Sequence, residues 1–201
     1  MPEKFELHEG NAKQISLLDN SVDLIVTSPP YANNAIDYMR AHKFSLIWFN
    51  QSIDQLKLTR KQYIGSETTI KEFIKPLPDF TTSIINQLKP VTNSKGNALE
   101  RYYSEMLQVI SEMYRVLKNE RACVIVVATS VLNGVDVQIN KCFAELAEQV
   151  GFELIKIGKR KIHRDKRMLP TSLNQENTTL LLENLLKTMS NMSMLVLLPK
   201  P

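Results

Sequence analysis

The chain has 201 residues, 43% hydrophobic and 23% charged, which suits one globular domain with a real core and excludes two generous ones. No apolar run reaches the roughly 18 residues of a membrane span, and the opening MPEKFELHEG lacks a signal-peptide core, so a cytoplasmic location is expected. A formal charge of +4 and a pI near 9.0 permit a polyanionic partner without requiring one.

In chain order, FELHEGNA reads as a short strand ending at Gly10-Asn11-Ala12, followed by a brief helical segment, AKQISLL, and a turn at Asp19-Asn20-Ser21. VDLIVTS is nearly continuously apolar, as expected for a strand covered on both faces of a parallel sheet. Residues 35–49, AIDYMRAHKFSLIWF, have helical spacing at Ile36, Met39, Phe44 and Ile47, with Trp48 and Phe49 expected in the core. Residues 50–99 are rich in Thr, Ser and Asn with weak periodicity, which predicts a loop-rich insertion containing short helices.

The clearest helix is ERYYSEMLQVISEMYRVLK, with Tyr103, Met106, Leu107, Ile110, Met113, Tyr114 and Leu117 on one stripe. Asn119-Glu120-Arg121 then turns the chain into the strand ACVIVVATS. A helix around VQINKCFAELAEQV stops at Gly151, a typical position for a left-handed cap. FELIKIGKRKI is predicted as a strand, TTLLLENLLKTM as a helix and MLVLLPKP as a last strand. Strands alternating with helices argue one α/β domain over residues 1–201, its sheet mostly parallel with helices on both faces. Cys123 and Cys142 fall in apolar patterns and are expected as small core residues. The histidines at 8, 42 and 163 show no ligand spacing, so no metal site is expected.

The chemistry-bearing stretch is Ser28-Pro29-Pro30-Tyr31, directly after the apolar strand. In open α/β sheets, ligands bind beyond the carboxyl ends of the strands. Proline fixes φ and removes a backbone donor, so the turn is rigid and its carbonyls have no competing N–H nearby. Such a turn suits a planar substrate bearing an NH₂ group: the Ser28 hydroxyl and the Pro29 carbonyl can accept both amino hydrogens, and Tyr31 can stack on the ring. An exocyclic amine of cytosine or adenine is a poor nucleophile because its lone pair is delocalised into the ring. Two fixed acceptors draw the nitrogen toward tetrahedral geometry and free that pair, which is electrostatic preorganisation for the transition state. The base must first leave the stack, and an aromatic shelf offsets part of that cost. The bland alternative is a Pro-Pro that merely ends a strand, with Tyr31 a partly buried turn residue.

The longer string LLDNSVDLIVTSPPY resembles the amino-methyltransferases of DNA, whose catalytic motif is [Ser/Asp/Asn]-Pro-Pro-[Tyr/Phe] after an Asp-containing strand. The Thr-Ser-Pro-Pro-Tyr form is most similar to the cytosine-N4 branch, whereas the adenine-N6 branch more often begins with Asp. The resemblance implies a Rossmann-like methyltransferase sheet, S-adenosylmethionine as cofactor and double-stranded DNA as substrate. It makes Ser28, Pro29, Pro30 and Tyr31 the catalytic loop. It also places Gly10, Asn11 and Ala12 at the family's Gly-Asp position near the cofactor adenine, with Asn11 replacing the usual Asp. MYRVLKNERACVIVV is similar to the family's RVLKPGG helix and following strand, without the glycines, and the closing segments from Gly151 onward also look like the family's. Neither cysteine stands in a Pro-Cys context, so the covalent-thiolate route of carbon-5 methylation has no nucleophile here.

The family's Phe-x-Gly-x-Gly loop, which wraps the methionine part of the cofactor, has no counterpart. The six glycines stand at 10, 65, 96, 134, 151 and 158, and no Gly-x-Gly occurs. A loop of that kind needs glycine wherever backbone approaches the ligand closely. The chain therefore reads as the catalytic-loop half of a methyltransferase, incomplete on its cofactor side, with the other half on a second chain or lost. The basic run from Lys156 to Arg167 holds Lys156, Lys159, Arg160, Lys161, Arg164, Lys166 and Arg167 against one Asp, which suits phosphate contacts, with His163 part of the same surface. A solvated face is the plain alternative for that run. Asp37, Tyr38 and Arg40 follow the catalytic loop closely enough to line a target pocket. The expected function is methylation of an exocyclic amine in DNA, cytosine N4 first. The alternatives are adenine N6 and a non-catalytic DNA-binding remnant or subunit.

Overall fold

The apolar run ahead of Ser28 forms a strand, β1 (Val22–Thr27), at the edge of the sheet among the described strands. A computed structural model of the chain describes residues 5–30, 32, 38–62, 64, 75–128, 130–161 and 191–200. After β1 come four helices, α1 (Tyr38–Trp48), α2 (Ile53–Gln62), α3 (Asp79–Leu88) and α4 (Asn93–Val116). The strand β2 (Leu117–Ala128) follows, then a two-stranded hairpin of β3 (Val131–Leu132) and β4 (Val135–Asp136). Asn133 and Gly134 at its tip both have positive φ, the backbone that a two-residue hairpin loop demands. The chain closes with α5 (Ile139–Val150), β5 (Phe152–Lys161) and β6 (Asn191–Pro199).

The four long strands lie in the order β1-β2-β6-β5. β1 and β2 are parallel, whereas β6 runs antiparallel to both β2 and β5. The expectation of a mostly parallel sheet is therefore corrected to a mixed one among the described strands. β1, β2 and β5 share a direction, and β6 is reversed.

One face of the sheet is closed. Cys123, Ile125 and Val127 of β2, Leu195 and Leu197 of β6 and Phe152 of β5 join one core cluster with α3, α4 and α5. Period-two alternation sends the intervening residues to the other face. There Leu24 and Val26 of β1 are 57% and 66% exposed and Met194 of β6 is 44% exposed. The unbroken apolar reading of β1 predicts helices on both faces, but among the described residues the sheet is covered on one side.

Several local expectations are also corrected. Residues 5–10 form no strand, and 11–18 form turns and bends rather than a helix, with a single bridge between Asn11 and Gln14. These residues find no strand partner among the described ones, and a lone extended segment has nothing to hold it. Trp48 and Phe49, expected in the core, are 90% and 77% exposed. Within 50–99 the short helices exist, but α3 buries Thr81, Ile84, Ile85 and Leu88, so that part belongs to the core. α4 begins seven residues before Glu100, and residues 101–107 are buried all round the helix. The turn expected at 119–121 is an irregularity inside β2: pairing jumps from Val22–Leu117 to Leu24–Ala122, with Glu120 at φ 59. The helix predicted at 178–189 lies outside the described residues.

Other expectations hold. Cys123 and Cys142 are free and fully buried, and burial pushes the Cys123 thiol up to about 12. Gly151 ends α5 at φ 118, its N–H donating to the carbonyls of Ala147 and Glu148. Its φ demands glycine, and a Cβ there would also sit tightly, 3.2 Å from the Tyr114 ring.

The N-terminus of α3 has no side-chain cap of its own. Glu145 of α5 supplies one: its carboxylate accepts from the Phe80 and Thr81 backbone N–H groups and from the Thr81 hydroxyl, at 2.7–2.8 Å. A carboxylate at a helix N-terminus satisfies orphan donors and complements the helix dipole. Glu145→Ala is expected to cost about 2 kcal/mol, since hydrogen bonds to charged groups are worth roughly 1.5–3 kcal/mol. Urea unfolding should show a lower midpoint at unchanged slope, and an unmoved midpoint would mean that water replaces the carboxylate at no cost.

Candidate active site at the end of β1

At the end of β1, Ser28 is exposed, Pro29 is buried and Pro30 is half-buried. Tyr102, 2% exposed on α4, donates its hydroxyl to the Pro30 carbonyl at 2.6 Å. Chain order explains the meeting. α4 runs straight into β2, whose first residue, Leu117, pairs with Val22 at the start of β1. Tyr102 lies fourteen residues before the end of α4, roughly 21 Å back along the helix axis. That length is close to the run of β1, so the tyrosine is brought level with the strand's carboxyl end.

The segment holding Gly10, Asn11 and Ala12 is tied to the same helix. Asn11 accepts from the Lys13 and Gln14 backbone N–H groups, through its side chain and its carbonyl respectively. Lys13 reaches Glu105 at 3.5 Å, and Glu105 also pairs with Arg101 at 3.3 Å, both acceptor and donors largely buried. Arg101 and Glu105 flank Tyr102, so the Gly10–Ala12 segment and the Pro-Pro turn are anchored on adjoining turns of α4. Gly10, Asn11 and Ala12 are themselves exposed.

Farther along α4, Arg115 clamps the next stretch. It donates to the carbonyls of Ile15 and Leu17 and pairs with Asp19 and Glu112, while Glu112 accepts the Ile15 N–H at 2.8 Å. Arg115, then the Ile15 N–H, hold the Glu112 carboxyl below its ordinary range; Glu112 and Asp19 push the Arg115 guanidinium up. Asn20 sits at φ 51 in the expected turn, and its N–H donates to the Arg115 carbonyl. Asp23 at the base of β1 is likewise held low, first by its hydrogen bond from Lys118.

The basic run maps in part. Lys156, Lys159 and Arg160 are exposed on β5, at the opposite edge of the sheet from β1. The cross-sheet register Thr27–Ile125–Leu195–Ile157 puts Lys159–Lys161 level with the Ser28–Pro30 turn. Three strand spacings, roughly 14 Å, separate them. Tyr31, Asp37, His163, Arg164, Lys166 and Arg167 lie outside the described residues, and Tyr38 and Arg40 fall in the first turn of α1.

Among the described glycines, four have structural tasks: Gly96 packs on Lys89, Gly134 makes the hairpin, Gly151 caps α5 and Gly158 lies against Met194. Gly10 and Gly134 both face open space, and of the two only Gly10 lies outside a hairpin loop. Among the described residues no cluster of three or more His, Cys, Asp or Glu could hold a metal ion. Sequence reasoning missed Arg101, Tyr102 and Glu105. The Arg101–Glu105 pair is readable as an i,i+4 charge pair on a helix, whereas nothing local marks Tyr102.

No family model matches the chain. The Type II methyltransferase M.AvaI, from Nostoc sp. and from Anabaena variabilis, is 25% identical over 153 residues, 67% of this chain and 32% of that protein. M.BsoBI of Geobacillus stearothermophilus is 22% identical over 168 residues, 69% of this chain and 33% of its own. The chain is similar to Type II methyltransferases. It spans about a third of the length of these curated relatives. Crystal structures of the DNA modification methylase TTHA0409 from Thermus thermophilus, one complexed with S-adenosyl-L-methionine, align with TM-scores of 0.44–0.47 at 14–16% identity. The alignments cover 96% of this chain and 51–52% of theirs.

The Glu112–Arg115 clamp carries a pH signature. A carboxyl whose folded value is depressed stabilises the fold fully above its unfolded value, and that contribution is lost as pH falls through the lower folded value. The stability difference between wild type and Glu112→Gln is therefore expected to be constant near neutrality and to shrink in acid below about pH 4.3. Urea titrations across that range check it, and a difference independent of pH would contradict the clamp.

Proposed function

We propose that this chain is the target-amine half of a DNA amino-methyltransferase. It captures a base extruded from duplex DNA and presents the exocyclic nitrogen, cytosine N4 rather than adenine N6, for methylation with S-adenosylmethionine as donor. The observation that carries the reading is the exposed Ser28 leading into a buried Pro-Pro turn at the carboxyl end of β1, in a chain similar to Type II methyltransferases. Serine ahead of Pro-Pro favours cytosine, by the resemblance to the N4 branch.

In this reading the Ser28 hydroxyl and the Pro29 carbonyl accept the two amine hydrogens, and Tyr31 stacks on the base. The amine gains a methyl group and loses one proton overall. Lys159 and Arg160, level with the turn and about 14 Å across the sheet, suit a phosphate backbone entering on that side, with Lys156 farther back on the same strand. Such contacts give affinity without sequence information, so they position the duplex while the turn selects the base.

The described residues do not fit the whole cofactor. Gly10, Asn11 and Ala12 offer an exposed segment beside the turn, but no described glycine is placed to let backbone wrap a second part of the ligand. No step is therefore assigned through it here. The complement would lie in another segment or chain. Two features support that view: the relatives are about three times as long as the stretch they share with this chain, and among the described strands β1 leaves an unpaired edge beside exposed Leu24 and Val26. Exposed apolar surface at a sheet edge is a template for adding strand and helix.

The lack of a glycine loop among the described residues also suits a subunit that binds DNA without catalysing anything. Methyl transfer to duplex DNA, assayed with the cofactor-binding complement present and the modified base identified by mass spectrometry, separates the readings. Ser28→Ala is expected to keep DNA binding and lose turnover on the order of a hundred- to a thousandfold. Tyr31→Ala should harm both, since stacking is worth about 1–3 kcal/mol per base, whereas Tyr31→Phe should be nearly silent. Full activity in Ser28→Ala would leave only a rigid strand end, and methylated adenine would overturn the choice of base alone.

A further inference from the structure

Two consecutive prolines remove two backbone donors from the turn after β1, so Pro29 and Pro30 cannot be tethered through their own N–H groups. Their carbonyls are the remaining backbone handles, and one of them is taken. Tyr102 donates to the Pro30 carbonyl at 2.6 Å across 72 residues of sequence. The tyrosine cannot readily move: its ring is buried, edge-on to Tyr103 at 5.3 Å and tilted against Phe143 at 6.2 Å. Tyr103 in turn donates to the Val137 carbonyl at 3.2 Å. A pair of adjacent tyrosines thus ties α4 to the chain after β1 and to the chain before α5.

We propose that Tyr102 is a positioning residue for the Ser28–Pro30 turn, a role that rests on the methyltransferase reading. By holding the Pro30 carbonyl it fixes the peptide plane that follows the two prolines. It also turns that carbonyl toward α4, while the Ser28 hydroxyl and the Pro29 carbonyl serve as the acceptors for the target amine. A turn held this way keeps its acceptors aligned during reaction without touching the substrate. Loss of the tether should therefore appear in turnover and not in DNA capture.

The test is Tyr102→Phe, which keeps the ring and removes the donor, with Tyr103→Phe as the control that removes the neighbouring buried hydroxyl. The carbonyl carbon resonance of Pro30 reads the bond directly and needs no activity. In Tyr102→Phe it should move upfield, with kcat reduced about three- to tenfold and KM for duplex DNA unchanged in the presence of the complement. Tyr103→Phe should leave both the Pro30 resonance and kcat as in wild type. An unmoved Pro30 resonance in Tyr102→Phe would overturn the proposal, as would a moved resonance with unchanged kcat. Equal loss of kcat in Tyr103→Phe would assign the effect to packing and also overturn it. A wild type that binds DNA yet transfers no methyl group would sink the methyltransferase reading, and the role with it, whatever the resonance shows.

Discussion

A turn made of two prolines cannot anchor itself. Pro29 and Pro30 bring rigidity but no donors, so the turn's place relative to the sheet is set by what reaches it from outside, and that is α4. The same helix holds Lys13 through Glu105 and straps residues 15–19 through Glu112 and Arg115. The Pro-Pro turn and the Gly10–Ala12 segment are therefore fastened to one helix. The helix in turn is fixed by the core it shares with α3 and α5 on the closed face of the sheet. Buried charge at its head, Arg101 with Glu105, sits where the helix is enclosed on all sides, and pairing makes that burial tolerable.

The sheet has a different character on its two sides. One face is packed by helices; the other shows apolar residues from β1 and β6 to solvent, and β1 itself has an unpaired edge among the described strands. An α/β sheet finished on one side only is under-protected, because apolar surface and strand edges both invite association. The candidate site lies at the rim of this unfinished side. A donor-binding complement arriving there would meet the turn from the face that α4 does not occupy, which is where a second reactant is needed.

Much of this is legible in the sequence, and the failures have physical causes. The body of the helix predicted over 100–118, whose last two residues open β2 instead, the glycine cap at 151, both buried cysteines and the closing strands follow from local periodicity and backbone preference. FELHEGNA misleads because alternation marks a strand only where a neighbouring strand exists to pair with it, and none of the described strands does. Trp48 and Phe49 mislead because residue type is not burial, and hydrophobic residues are often exposed. The one-sided sheet is invisible because Leu24 and Val26 have the same composition whether covered or bare. Tyr102 escapes notice for another reason: the helical stripe runs through Tyr103, and the functional contact belongs to its neighbour, on a helix buried all round. Tertiary contacts between residues 72 apart leave no local trace.

The central claim is that a DNA base is delivered to the turn between Ser28 and Tyr31. Photocrosslinking tests it most directly. Duplex DNA carrying 5-iodocytosine throughout would be irradiated in complex with the protein and its complement, and the attached peptides sequenced by mass spectrometry. Attachment is expected within the tryptic peptide spanning residues 14–40. Attachment confined to the basic strand around residues 156–161, with none near the turn, would contradict it and leave this chain a DNA-binding surface.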